Sequence, residues 1–193
     1  MKQDDTLPTM ACATLQDWEA WLSAHHQEIA GIWLKLAKKG SGIASLSYGE
    51  AVEGALCYGW IDSQKVAFDA EYWLQRFTPR RARSVWSRVN RDAALALIAA
   101  GRMKPVGLQQ VELARSDGRW EAAYASQRTM AIPDDFQGGL NNNPQAQAFY
   151  GTLDRANRYA ILWRIETARK QETRAARIAK FIAMLAKGDK IHA

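Results

Sequence analysis

Six arginines, two serines and a tryptophan fall within residues 76–91, RFTPRRARSVWSRVNR, and the first acidic residue after them is Asp92. Guanidinium groups grip phosphate or carboxylate through forked, charge-assisted hydrogen bonds, and an indole beside them can stack on a base or an apolar group. Arg76, Arg80, Arg83, Ser84, Trp86 and Arg88 are therefore candidate ligand-binding residues, with Arg81 and Ser87 alongside. The alternative is structural: several of these arginines pair with Asp62, Glu71, Glu50 or Glu53 and pin the segment to its neighbours. A mixture satisfies both, with Arg76 and Arg80 turned inward and Arg83 and Arg88 exposed.

Asp62 is the weak catalytic candidate, as an acid or base or as the partner that orients an arginine. No histidine, cysteine or second carboxylate stands at a matching spacing, so the orienting role fits better. Cys57 and Cys12 form neither a CxxC pair nor a disulfide framework, and a lone cysteine on an apolar helix face is a core residue. His25 and His26 are adjacent and so point to different sides of a helix, His192 is distant, and HExxH is absent. No metal and no cofactor are expected. Lys38-Lys39-Gly40-Ser41-Gly42 reads as a turn, since the P-loop pattern GxxxxGK[ST] is missing.

The elements that position these residues follow from caps and periodicity. Thr14 and Asp17 open a helix over 15–27, and Ser47 and Glu50 open another from Tyr48 to about Gly59. Between them GIWLKLAK alternates like a half-buried strand. GWIDSQKVAF and EYWLQRFT read as an antiparallel hairpin, 60–68 paired with 72–78, which Pro79 ends. Asn90 is expected to cap a helix over 91–100, and Pro105 to start one that closes at Asp117-Gly118. Helices over about 133–140, 145–152, 154–168 and 172–187 complete the chain. The last two carry Arg155, Arg158, Arg169, Arg174, Arg177 and Lys180 opposite their apolar faces, a solvated surface or an extension of a basic footprint.

Strands followed by helices argue for an α+β fold: a small antiparallel sheet, strand plus hairpin, packed with helices and followed by an all-helical C-terminal part. The expected organisation is a flexible lead-in over 1–12, an α+β core over 13–130 and helices over 131–193 packed on it as one unit. The chain has 193 residues and a formal net charge of +6. That balance favours anionic partners: a small molecule, an acidic protein or nucleic acid. No signal-peptide pattern and no transmembrane segment are read, so a cytoplasmic location is expected.

Six blocks in fixed order then point to a family: WLKLAKK, SYGEAVEGALCYGWIDSQ, TPRRARSVWSRVNRD, GRMKPVGL, DGRWEAAY and TRAARIAKFIAMLAKG. From about Trp18 to Gly188 the chain resembles the YdeI/OmpD-associated, or bacteriocin-protection, family. The resemblance implies a bacterial stress or resistance protein, and it carries over no catalytic residue. Three functions remain open: a protective protein that binds an anionic ligand or partner, a nucleic-acid-associated protein without sequence specificity, and an enzyme using Asp62 on an anionic substrate.

Overall fold

The computed structural model describes residues 6–126 and 129–192. The chain divides into two compact units, residues 1–85 with 90–121, and residues 86–89 with 122–193. The first five positions of the expected lead-in lie outside the described residues.

In the first unit, α1 (Leu15–His25) and α2 (Tyr48–Cys57) each begin at a reciprocal capping box. Thr14 Oγ1 accepts the Asp17 amide at 3.2 Å while the Asp17 carboxylate takes the Thr14 amide at 3.0 Å. Ser47 and Glu50 repeat the exchange at 3.3 and 2.9 Å. Each box satisfies two helix-end donors that would otherwise need water. The hairpin is present as β3 (Trp60–Ala67) and β4 (Tyr72–Pro79), with β4 also antiparallel to β2 (Ile32–Ala37). A short strand, β1 (Thr9–Ala11), adds in parallel to β2, so the sheet is mixed, in the order β1-β2-β4-β3. The sequence pattern did not signal β1, which is too short to show a period.

The sheet's core is aromatic. Trp18 is fully buried, stacks on Trp21 at 5.3 Å, tilts onto Phe77 at 5.5 Å and donates to the Ala51 carbonyl at 3.0 Å. Trp33 is buried as completely as Ile32 and Leu34, so β2 is covered on both faces there instead of half-buried. Gly59, at φ +71°, turns α2 into β3, and its carbonyl accepts the Arg80 amide at 2.9 Å. That bond fixes where the arginine-rich loop leaves β4. The helix after the loop, α3 (Arg88–Ala99), starts three residues before the one expected to begin at Arg91 with Asn90 as its cap. Ser87 stands directly before it, and serine is as good a cap residue as asparagine. Its successor α4 (Pro105–Ser116) starts on its proline, where the missing amide costs nothing.

The second unit holds α5 (Asp134–Asn141), α6 (Pro144–Thr152), α7 (Arg155–Glu166) and α8 (Gln171–Ala186). Their apolar faces bury Phe136, Leu140, Tyr150, Ile161, Leu162, Ile165, Phe181 and Leu185. Phe136 meets Tyr150 edge to face at 5.6 Å. Residues 86–88 join this unit through Tyr124, whose amide donates to the Trp86 carbonyl at 3.0 Å and whose carbonyl accepts the Arg88 amide at 2.9 Å. With eight helices and a four-stranded sheet among the described residues, the fold is α+β with a helical C-terminal part. No helix is long and apolar enough to cross a membrane among the described residues.

Candidate functional site

The arginine-rich segment divides between the units: Arg76, Arg80, Arg83 and Ser84 belong to the first, Trp86 and Arg88 to the second. Arg76 lies half-buried on β4, with Nη1 at a long 3.5 Å from Gln64 Oε1. Arg80 is buried, and its Nη1 donates to the Val85 carbonyl at 3.3 Å. Ser84 closes a turn by accepting the Arg81 amide on Oγ at 2.9 Å. Arg83 is exposed. Trp86 is only 1% exposed, so its ring is covered by protein and offers a ligand no stacking face. Arg88 keeps 55% of its side chain exposed, donates through Nε to the Ala123 carbonyl at 3.1 Å and meets Glu166 at 3.4 Å.

One arginine outside the segment holds the loop. Arg119 is 4% exposed, pairs with Asp117 at 2.7 Å and donates through Nη1 to the Ser84 carbonyl at 2.9 Å. Arg119→Met removes a buried charge-assisted bond and takes this donor from the Ser84 carbonyl; because Asp117 is partly exposed and keeps the residue-119 amide, the expected loss is about 2 kcal/mol. Urea unfolding of the variant measures it, and an unchanged midpoint contradicts this role.

Three of the four carboxylates expected to hold the loop have other partners. Asp62 accepts the Tyr48 hydroxyl at 2.6 Å. Glu53 pairs with Arg102 at 2.7 Å, which also meets Glu19 at 3.1 Å, and Glu50 serves its capping box. Burial pushes both cysteine thiols up, Cys12 to about 11, which keeps them protonated. No group of His, Cys, Asp or Glu that could hold a metal ion occurs among the described residues.

A cavity in the second unit has the electrostatics that the loop lacks. Asp154 caps α7 by accepting the Asn157 amide at 2.7 Å, which places Arg155 and Arg158 one turn apart on the helix and Tyr159 next to Arg158. These three, with Tyr150 from the end of α6, Leu153, Leu162, Met130 and Ile132, enclose about 380 Å³. Arg158 Nη2 donates to the Gly151 carbonyl at 2.5 Å, and its guanidinium lies 5.5 Å from the centre of the Tyr150 ring. Its Nε–H is buried and meets no acceptor among the described residues. Burial pushes the Tyr159 phenol up to about 12, helped by Tyr124 and Glu166; burial raises Tyr150 too, against the opposing charge of Arg158. Both phenols are thus neutral donors at ordinary pH. Arg155 and Arg158 are the only charged groups in the described lining, so the cavity carries net positive charge.

A neighbouring cleft of about 280 Å³ includes Arg88, Glu166 and Arg174 and so carries both signs of charge. Glu166 accepts the Ala125 amide at 3.2 Å, and Arg174 grips Asp135 through two bonds at 2.6 and 2.9 Å. Hydrogen bonding from Arg174 is the main reason the Asp135 carboxyl lies below the usual aspartate range. A depressed carboxyl stabilises the fold above its unfolded pKa, about 3.9, and that stability is lost as pH falls through the folded value. Arg174→Gln should therefore flatten the acid limb of the stability profile below about pH 4. Melting temperatures from pH 2 to 7 check it, and an acid limb as steep as in the parent protein contradicts it.

Arg155 and Arg158 read from sequence as part of a solvated helix face. The available signal was Asp-Arg-x-x-Arg-Tyr, a cap followed by two arginines one turn apart; nothing in it shows Tyr150 arriving from another helix.

Comparison with known proteins places this cavity. Residues 129–188 match the family model described as "Bacteriocin-protection, YdeI or OmpD-Associated", and residues 10–110 match one described as "Domain of unknown function (DUF8412)". Every residue that lines the cavity lies within the first match. Of the six sequence blocks, TRAARIAKFIAMLAKG falls within that match, and the four from WLKLAKK to GRMKPVGL fall within the second. No curated protein and no solved structure matches the chain.

Proposed function

For a chain that belongs to the bacteriocin-protection, YdeI or OmpD-associated family through residues 129–188, and to the DUF8412 family through residues 10–110, we propose a role in stress resistance exerted by binding an anionic ligand. The observation that carries this reading is the charge of the second unit's cavity: two guanidiniums, two neutral phenols and no carboxylate in its described lining. Such a lining favours a negative group over water, because Arg158 is held in place by the Gly151 carbonyl before a ligand arrives and Arg155 adds a second positive charge to the same lining. The volume, about 380 Å³, lies within the range of small-molecule sites. Arg83 and Arg88 supply exposed positive charge that steers anions toward the chain.

The test is a thermal-shift titration of the whole chain with phosphate, sulfate and simple carboxylates at low ionic strength. A saturable rise in melting temperature that weakens with added sodium chloride is expected. Arg83→Ala is expected to retain the rise. No shift with any anion overturns the reading, and a shift lost in Arg83→Ala assigns the site to the arginine-rich loop instead.

A further inference from the structure

The same cavity is two-sided, and its second side narrows the ligand class. Arg155, Arg158 and the phenols of Tyr150 and Tyr159 make up one part of the lining; Met130, Ile132, Leu153 and Leu162 make up the rest. An inorganic anion fills only a small part of about 380 Å³ and, although Leu153 and Leu162 are buried, leaves Ile132 open to water. Ile132 in particular is 39% exposed, a large apolar side chain left uncovered at this cavity.

We infer that the cavity takes an organic monoacid: a carboxylate held by Arg155 and Arg158, and an apolar tail laid against Ile132, Leu153 and Leu162. This rests on the anion-binding reading above and adds the class of ligand. A single acid group fits because the two arginines stand one helical turn apart and line the same cavity, with Arg158 already tied to the Gly151 carbonyl and the Tyr150 ring. A planar carboxylate matches the fork of a guanidinium better than a spherical ion does. The phenols, kept neutral by burial, add no repulsion and can donate to the same acid group or to a polar substituent beside it. The apolar wall then contributes in proportion to the area it covers, roughly three- to fourfold in affinity for each buried methylene.

The experiment compares acetate, butanoate, hexanoate, benzoate, hexanamide and inorganic phosphate by calorimetric titration of the whole chain. Affinity is expected to rise at least tenfold from acetate to hexanoate, with hexanamide far weaker than hexanoate. Ile132→Asn, a change at a partly exposed position that leaves the fold intact, should weaken hexanoate several-fold and leave phosphate unchanged. Equal binding of phosphate, acetate and hexanoate overturns the monoacid inference while the anion reading stands. Binding of hexanoate that is matched by hexanamide, or that survives the pair Arg155→Gln with Arg158→Gln, overturns it as well. Absence of binding by every anion in a chain with an unchanged melting temperature removes both.

Discussion

Replacing Gly107 with alanine is expected to destabilise the chain by roughly 3 kcal/mol or more, the upper end of what one added methyl group costs in a packed interior. Gly107 lies in the first turn of α4, where that helix crosses the end of α2. A Cβ there would fall on the Cys57 carbonyl oxygen and come within 2.9 Å of both the Cys57 carbonyl carbon and the Leu56 carbonyl oxygen. Those atoms are backbone, so no rotamer change relieves the contact. The α2 end is also tied down, since the Cys57 carbonyl accepts the Lys104 amide at 3.1 Å. A methyl group therefore forces α4 away from α2 and disturbs the turn at Gly59 whose carbonyl holds the Arg80 amide. Gly138→Ala is the control: a Cβ there meets nothing within 4 Å, and alanine is the better helix former. Denaturant midpoints of the two variants should move in opposite directions. A Gly107→Ala protein with the parent's midpoint contradicts the packing described here.

The second large effect is on binding. Changing Arg155 and Arg158 together to glutamine is expected to weaken a bound carboxylate by at least about 100-fold, because each removes a charge-assisted hydrogen bond of about 1.5–3 kcal/mol. Glutamine retains the first two methylenes of the stem and loses the guanidinium that lies 5.5 Å from the centre of the Tyr150 ring and donates to the Gly151 carbonyl, a modest cost at a half-buried position. Arg155 is exposed and costs the fold little. The melting temperature without ligand should therefore fall by only a few degrees. Calorimetry of hexanoate against parent and variant measures the difference; retention of more than a tenth of the parent affinity contradicts the assignment of both arginines. Arg155→Lys with Arg158→Lys separates charge from shape, since lysine keeps the charge but loses the fork.

Most of the fold was legible because its signals are local. Thr14 with Asp17 and Ser47 with Glu50 announce helix starts through side chains three residues apart, and both capping boxes formed. Gly59 turns the chain at a positive φ, and Pro105 opens α4. What stayed hidden depends on partners distant in sequence. Three residues of β1 become a strand only because β2 lies beside them. Trp86 reads as a binding aromatic beside arginines and serines, yet it is core.

The arginines show the limit most clearly. In sequence their natural partners are carboxylates, and Asp62, Glu71, Glu50 and Glu53 were the obvious ones. In the fold Arg80, Arg88, Arg119 and Arg158 donate to the backbone carbonyls of Val85, Ala123, Ser84 and Gly151, and the carboxylates that Arg88 and Arg119 meet are Glu166 and Asp117. A carbonyl acceptor has no letter of its own, so no reading of residue types can find it. For the same reason the sequence weighted the run of six arginines in residues 76–91 over the pair on α7. The run is conspicuous, whereas the pair gains meaning only from Tyr150, Leu153 and Ile132 around it.

The central claim is that an anion binds in the α6–α7 cavity through Arg155 and Arg158. A residue-resolved NMR titration of the whole chain with hexanoate at low salt tests it most directly. Saturable shifts are expected at Tyr150, Gly151, Leu153, Arg155, Arg158, Tyr159 and Leu162 and at the neighbouring Met130 and Ile132, with the arginine-rich loop silent. Saturable shifts at Arg80, Arg83 and Ser84 with the cavity residues silent, or no saturable shift at any residue, would contradict it.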